Sequence, residues 1–219
     1  MDNSEIKKVG MALQGGGAHG AFTWGVLDRL LEEDHILAEA MCGTSAGAVN
    51  AVACAYGLHI GGPKAAKEIL EKLWRKVAQS GSLFQPSGFD KIFGNGDMDN
   101  SPSYMLFNNM SQFMSPYNFN PFNYNPLRGI LTDLIDFNEL KMYNKKKLFI
   151  CDTNVKTNRA KIFSNKEITV DAVLASACLP FLFQAVEIEG EFYWDGGYMG
   201  NPPIFPLITN THLHDIVLV

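Results

Sequence analysis

Met41-Cys42-Gly43-Thr44-Ser45-Ala46-Gly47-Ala48-Val49-Asn50 is the stretch on which the fold turns. Apolar residues lead into Gly43, Ser45 stands inside a G-x-S-x-G pattern, and small residues run on from Ala46 to Ala55. This is the pattern of a nucleophile elbow, a sharp strand-to-helix turn that lifts a serine oxygen clear of the backbone. Gly43 and Gly47 are needed because a side chain two positions either side of the serine would clash in so tight a turn. The following helix directs free N–H groups and a partial positive charge at the serine. Alone, the pattern more often marks an ordinary strand–turn–helix. Its meaning depends on Gln14-Gly15-Gly16-Gly17-Ala18-His19-Gly20 upstream and Trp194-Asp195-Gly196-Gly197-Tyr198 downstream.

The rest of the chain bounds the reading. Its 219 residues suit one domain, 1–219, and 47% hydrophobic residues support a sizeable core. A net charge of −5 leaves no electrostatic footprint for nucleic acid and disfavours simple attraction to anionic membranes. Lipid contact would therefore rest on apolar surface. Cys42, Cys54, Cys151 and Cys178 are scattered and read as small buried hydrophobes, not as a metal site or disulfide frame. No run reaches the ~18 apolar residues of a membrane span, and the polar start Met1-Asp2-Asn3-Ser4-Glu5 is unlike a signal peptide. The expected location is cytoplasmic and peripheral at membranes during action; a protein exported by a dedicated secretion machine would read the same way. Asp215–Val219 reads as a buried strand, which raises the expectation, testable by intact mass, that the natural chain continues.

Lys7–Leu13 predicts a first strand running into the glycine loop, then a helix with apolar residues at helical spacing from Ala21 to Leu31. Three readings compete for the loop. Gly15, Gly17 and Gly20 match a dinucleotide fingerprint, but the second strand ends in Cys42-Gly43-Thr44-Ser45 where that fingerprint expects an acidic residue. The glycines could simply allow tight strand–helix packing. The third reading is an oxyanion hole serving Ser45, since in a parallel sheet both loops emerge at strand carboxyl ends. His19, in the first turn of a helix, reads as a polar loop residue ahead of a catalytic base.

Ala46–Leu58 predicts a buried central helix. After Gly61-Gly62-Pro63, Lys64–Gln79 predicts an amphipathic helix covering the sheet. Between about 80 and 125 charge falls and Phe, Tyr, Met, Asn and Pro accumulate. This stretch reads either as an apolar cap near the site or as a second patch of core. Asn125-Pro126 opens a helix, Lys147–Asp152 is a strand, and Arg159–Phe163 pairs beside it. Val170–Cys178 is a short helix, Val186–Trp194 a hairpin turning near Gly190, and Asn201-Pro202-Pro203-Ile204 starts another helix.

A serine hydroxyl needs a neighbour to take its proton. Asp195, His19, His212 and His214 are the candidates. The order Ser45, Asp195, then His212 or His214 imitates a hydrolase triad, but only two strands precede Ser45, and a triad leaves Gly196-Gly197 unexplained. A Ser45–Asp195 dyad needs only hydrogen-bond reach between the two.

Together, Gly15-Gly16-Gly17-Ala18-His19-Gly20, Gly43-Thr44-Ser45-Ala46-Gly47 and Asp195-Gly196-Gly197 resemble the patatin-like phospholipase family, bacterial members included. Ala175–Pro180 and Gly200–Ile204 share the likeness, which runs from about Val9 to the end. The resemblance implies a three-layer α/β/α fold with a central, mostly parallel sheet. It also implies a Ser–Asp dyad that cleaves lipid acyl esters without a metal or other cofactor, acting on phospholipid or another acyl-ester lipid. By position, Ser45 is the nucleophile, Asp195 the base, and the Gly15, Gly16 and Gly17 amides the oxyanion hole. His19 departs from the Arg or Lys of many relatives, which weakens any role for a fixed positive charge there. A lipid-binding scaffold on the same fold, and a nucleotide-binding protein using the glycine loop, are the alternatives.

Overall fold

The computed structural model describes residues 6–80 and 115–219. Strand β1 (Lys7–Leu13) lies between β2 (Ile36–Gly43) and β7 (Asp215–Leu218), parallel to both, and β2 runs parallel to β3 (Lys147–Asn154). Strands β4 (Arg159–Ser164) and β6 (Glu191–Asp195) pair antiparallel to β3, and β5 (Val186–Ile188) completes a hairpin with β6. These form one seven-stranded sheet with a parallel centre and an antiparallel flank.

The two faces of the sheet follow from strand alternation. Val9, Met11, Leu13, Met41, Leu148 and Ile150 point into the main core, whereas Ala12, Ala40, Cys42 and Phe149 point to the other face. The main core is built on α2 (Ala46–Ser80), whose first half is almost entirely buried, with α1 (Gly20–Leu30) beside it. Helices α4 (Pro126–Leu134), α5 (Phe137–Met142) and α6 (Val170–Ser176) add Ile130, Leu131, Leu140, Val173 and Leu174 to the same core. On the opposite face α7 (Phe205–Asn210) packs Leu207 against Ala12, Ala40, Cys42 and Phe149. The result is helix–sheet–helix layering, as the sequence leads one to expect.

Two local features go beyond the sequence. The Lys64–Gln79 segment packs back against the first half of its own helix. At Gly61 (φ −163°, ψ 18°) and Gly62 (φ 71°, ψ −158°) α2 breaks and folds back on its own first half. A side chain at Gly57 would come within 2.3 Å of the Ala66 Cα, so only glycine lets the two arms approach so closely. Trp74 Nε1 donates to Asn50 Oδ1 (2.8 Å) near the open end of this hairpin. Asn201–Ile204 do not start a helix: α7 begins at Phe205, because the preceding residues are held elsewhere. Asn201 bonds the glycine loop, and the Pro203 carbonyl accepts from Cys42 Sγ (3.2 Å).

Most of the aromatic stretch expected to form a cap, residues 81–114, lies outside the described residues. Its end contains the short helix α3 (Pro116–Phe119), and Gln184 Nε2 fastens this end by donating to the Asn120 carbonyl (2.9 Å). Phe122, Tyr124 and Tyr117 are exposed, so this part is surface and not a second core. Among the described residues, no helix is long and apolar enough to cross a membrane.

Candidate active site

Ser45 holds φ at +54°, a left-handed conformation rare for a residue with a side chain. The surrounding contacts enforce it. A Cβ at Gly43 would lie 2.5 Å from the Gly47 carbonyl oxygen, and one at Gly47 only 2.0 Å from that of Leu13. The Gly47 amide donates to the Thr44 carbonyl (2.8 Å) and the Thr44 hydroxyl to that of Gly200 (2.9 Å). The Ser45 amide donates to Ser176 Oγ (2.9 Å), which in turn donates to the Cys151 carbonyl (2.7 Å). Sequence reasoning missed Ser176, which ties the elbow to β3 from within α6. It is one polar residue in a helix of small residues, and nothing but the Ala175–Pro180 likeness marked the segment.

The sheet delivers Asp195 to the same point. Strand β4 occupies one edge of β3 from Phe149 to Asn154. The other edge is divided: β2 pairs with Lys147–Ile150, and β6 with Asp152–Asn154. β2 ends at Gly43 opposite Ile150, and β6, running the opposite way, ends at Asp195 opposite Asp152. The strands therefore meet head to head, and the turns that follow them share the gap. This explains the glycines after the acid. A Cβ at Gly196 would stand 1.9 Å from the Cys151 carbonyl oxygen and 3.1 Å from Thr44 Cγ2. Gly197 donates its amide to Asp195 Oδ1 (2.8 Å).

Asp195 is 5% exposed. Burial raises its pKa, and the Gly197 amide and the Ser45 hydroxyl partly offset that rise. Asp195 Oδ2 is buried without a hydrogen-bond partner among the described residues. Burial also pushes the thiols of Cys42, Cys54, Cys151 and Cys178 to about 12, so all four sit as neutral buried groups.

The glycine loop closes the third side. A Cβ at Gly15 would meet Ser45 Cβ at 2.6 Å and the Thr44 carbonyl oxygen at 2.9 Å. The Gly15 amide is already engaged by Asn201 Oδ1 (2.6 Å), and Asn201 Nδ2 returns a bond to the Gly15 carbonyl (3.3 Å). Of the three loop amides expected to face an oxyanion, those of Gly16 and Gly17 therefore stand open among the described residues. Gly16 tolerates a side chain sterically, with only His19 Cβ near at 3.5 Å. His19 folds back so that its Nδ1 lies 3.0 Å from the Gly16 carbonyl oxygen, in keeping with a loop residue. His212 and His214 are not brought to the site. Asp215 pairs level with Val9, so His214 lies beyond Val9, which is four residues (about 13 Å) short of the Leu13 end where the site forms.

Ser45 and Asp195 border a cavity of about 630 Å³ with Gly15, Gly16, Gly17 and Asn201. Away from them its wall is apolar, with Val49, Trp74, Val77, Leu127, Ile130 and Phe183. Among the described residues, no three His, Cys, Asp or Glu side chains are grouped so as to hold a metal ion.

A largely parallel sheet with helices on both faces, and a serine, a buried carboxyl and a glycine loop gathered at one cavity beside the strand ends, make this an α/β protein. Residues 11–208 match the model of the family described as patatin-like phospholipase, and the chain belongs to that family. It is 27% identical over 221 residues to the uncharacterized protein R571 of Acanthamoeba polyphaga mimivirus, covering 93% of this chain and 65% of that protein. Among solved structures it resembles VipD from Legionella pneumophila, with a TM-score of 0.53 and 16% identity, over 96% of this chain and 49% of that one. A weaker likeness is to ExoU in its heterodimeric complex with SpcU, from the type III secretion system of Pseudomonas aeruginosa. Its TM-score is 0.47 at 19% identity, over 98% of this chain and 44% of that one. The chain thus spans about two-thirds of the viral relative's length and about half that of the solved proteins.

Proposed function

We propose that this protein hydrolyses fatty-acyl esters of phospholipids, as a phospholipase A, through a Ser45–Asp195 dyad and an acyl-enzyme intermediate. The observation that carries the reading is the head-to-head meeting of β2 and β6, which sets an elbow serine and a buried carboxyl at the floor of one apolar cavity. Ser45 Oγ attacks the ester carbonyl carbon as its proton passes to Asp195, and the carbonyl π pair moves onto oxygen. The open amides of Gly16 and Gly17 stabilise that oxyanion, while Asn201 holds Gly15 and with it the loop. Collapse breaks the ester C–O bond, and the leaving alkoxide takes the proton from Asp195. Water then adds to the acyl-enzyme, giving its proton to Asp195, and collapse releases the fatty acid while Ser45 Oγ regains that proton. The apolar wall suits an acyl chain, and the volume falls in the usual range for small-molecule sites.

The surroundings favour contact with a lipid surface through apolar groups. Residues 15–22, 115–127 and 177–186, which flank the cavity, contain no Asp, Glu, Lys or Arg. Phe22, Tyr117, Phe122, Tyr124 and Phe181 are exposed on them. Such a rim inserts by area and not by charge, in keeping with the net charge of −5. The site of action is accordingly peripheral to a membrane.

The test is mass spectrometry of products from mixed-chain phosphatidylcholine vesicles, with Ser45→Ala and Asp195→Asn in parallel. Free fatty acid and lysolipid should arise from wild type alone, and a fluorophosphonate probe should label wild type at Ser45. Undiminished release by Ser45→Ala would overturn the assignment. Absence of both release and labelling in wild type would favour a lipid-binding scaffold.

A further inference from the structure

Besides Asp195, the site holds a second buried carboxyl that the proposed mechanism leaves unused. Asp152 lies on β3 directly opposite Asp195 on β6. Residues so paired across antiparallel strands carry their side chains on the same face, with Cβ atoms about 4.5–5.5 Å apart. Asp152 is 0% exposed, and both of its carboxyl oxygens are buried without a hydrogen-bond partner among the described residues. Asp195 Oδ2 is in the same condition. A carboxylate only accepts hydrogen bonds, so two facing carboxylates would leave every one of these oxygens unsatisfied and repelling. One retained proton removes the repulsion and pairs two of these three oxygens, because a carboxylic acid can donate where a carboxylate cannot.

The neighbours point the same way. On the other side of Asp152 in the same cross-strand row is Lys161 of β4, the one cation acting on it among the described residues. Its ammonium is drawn outward to Glu167 Oε1 (2.9 Å) and over the Phe163 ring. Cys151 and Cys178 on the flanking segments are neutral thiols. Ser176 of α6 gives its hydroxyl to the Cys151 carbonyl and is not available to Asp152. Burial, and after it the charge of Asp195, raise the Asp152 pKa well above the usual carboxylate range, with Lys161 opposing. Asp195 is raised too, but it has the Gly197 amide and the Ser45 hydroxyl to favour its charged form. The single negative charge of the pair thus belongs on Asp195.

We propose that Asp152 is a positioning residue: a carboxylic acid that keeps its proton, donates it to the inner oxygen of Asp195, and leaves that neighbour's other face charged and aimed at Ser45. In the reaction Asp195 takes the serine proton on the oxygen toward Ser45, and the Asp152 proton stays in place. The role rests on the Ser45–Asp195 reading but concerns a different atom, so it can fail separately.

The experiment compares wild type, Asp152→Asn and Asp152→Leu by the pH profile of kcat/KM on a soluble short-chain ester. It adds difference infrared spectra of the protonated-carboxyl band at neutral pH for wild type and Asp152→Asn. Loss of a hydrogen bond to a charged group corresponds to about a tenfold to hundredfold effect. Asp152→Leu should lose about that much at neutral pH, with its acidic limb moved to higher pH, because Asp195 would lack its donor. Asn still has N–H donors and should recover most of the loss and return the limb toward wild type. Wild type should show the infrared band and Asp152→Asn should lack it. A Leu limb coinciding with that of wild type, or an Asn limb displaced as far as Leu, would overturn the role. So would absence of the band from active wild type. If Asp152→Leu fails to fold, the Asn profile and the infrared band still decide. A wild type that shows the band but cleaves no ester would count against the hydrolase reading and leave the shared proton standing.

Discussion

Ser45 illustrates how a single residue carries a conformational cost for a positional gain. Its φ of +54° costs about 1–2 kcal/mol for any residue with a Cβ, and the contacts of Gly43, Gly47 and Gly15 leave the turn no other course. Ala retains that cost and Gly does not. Ser45→Gly should therefore be about 1 kcal/mol more stable than Ser45→Ala, a difference of about 2–4 °C in Tm for a domain of this size. Differential scanning calorimetry of the two inactive variants checks it; equal melting temperatures would mean that the elbow relaxes once the hydroxyl is gone. At this scale the sequence was legible wherever chemistry forces a residue type. Gly43, Gly47, Gly196 and Gly15 each face backbone or Cβ atoms inside 3 Å, so their identity announces the turn. It was illegible where one polar side chain holds another group in place. Ser176, Asn201 and Asp152 lie 131, 186 and 43 residues from Ser45, Gly15 and Asp195, and no local pattern records such pairings.

Among the elements, α2 best separates what periodicity tells from what it omits. The apolar positions of its second half, among them Ile69, Leu70, Leu73 and Trp74, are buried as helical spacing leads one to expect. Periodicity states that a face is covered but not by what, so the fold-back onto the first half was not readable. Likewise, Asp195 could be placed at the end of a strand, but not on the stretch of β3 that β2 leaves free. The hairpin of α2 is locked by a buried relay: Trp74 donates to Asn50, and Asn50 Nδ2 donates to the Gly20 carbonyl (2.9 Å) at the start of α1. Asn50 is 0% exposed. Asn50→Ala would orphan the buried Trp74 Nε1 donor, at about 1–3 kcal/mol, while the Gly20 carbonyl keeps its helical partner. We expect a Tm lower by at least about 2 °C. Since Trp74 also lines the cavity beside Gly20, the loss should be accompanied by weaker binding of long-chain esters relative to short ones. A thermal melt showing Asn50→Ala unchanged would mean that water satisfies the Trp74 donor.

For the molecule as a whole, two buried carboxyls beneath one site impose a pH dependence on folding. Burial raises the pKa of Asp152 and Asp195 above their unfolded values, so the native state holds protons that the unfolded chain has released. When the native state binds more protons, stability falls as pH rises, by up to about 1.4 kcal/mol per pH unit for each proton held. The loss begins near the ordinary carboxylate range, at about pH 4, and continues until the pH passes the native pKa. Glu167, whose burial raises its pKa but is outweighed by the hydrogen bonds and charge of Lys161 and Ser164 so that it ends lowered, contributes in the opposite sense, present above the unfolded value and lost on acidification. Comparison of wild type with Asp152→Asn cancels that term and every other unchanged group. Asn keeps the shape and the donor without the proton to lose. The two proteins should therefore differ little below about pH 4, and Asp152→Asn should become progressively more stable than wild type as the pH is raised to neutrality. Chemical denaturation at a series of pH values measures the gap directly. A gap that stays constant with pH would show that Asp152 ionises in the native state as readily as in the unfolded chain. A gap that widens would show stability given up to keep one charge, and one only, beside the elbow serine.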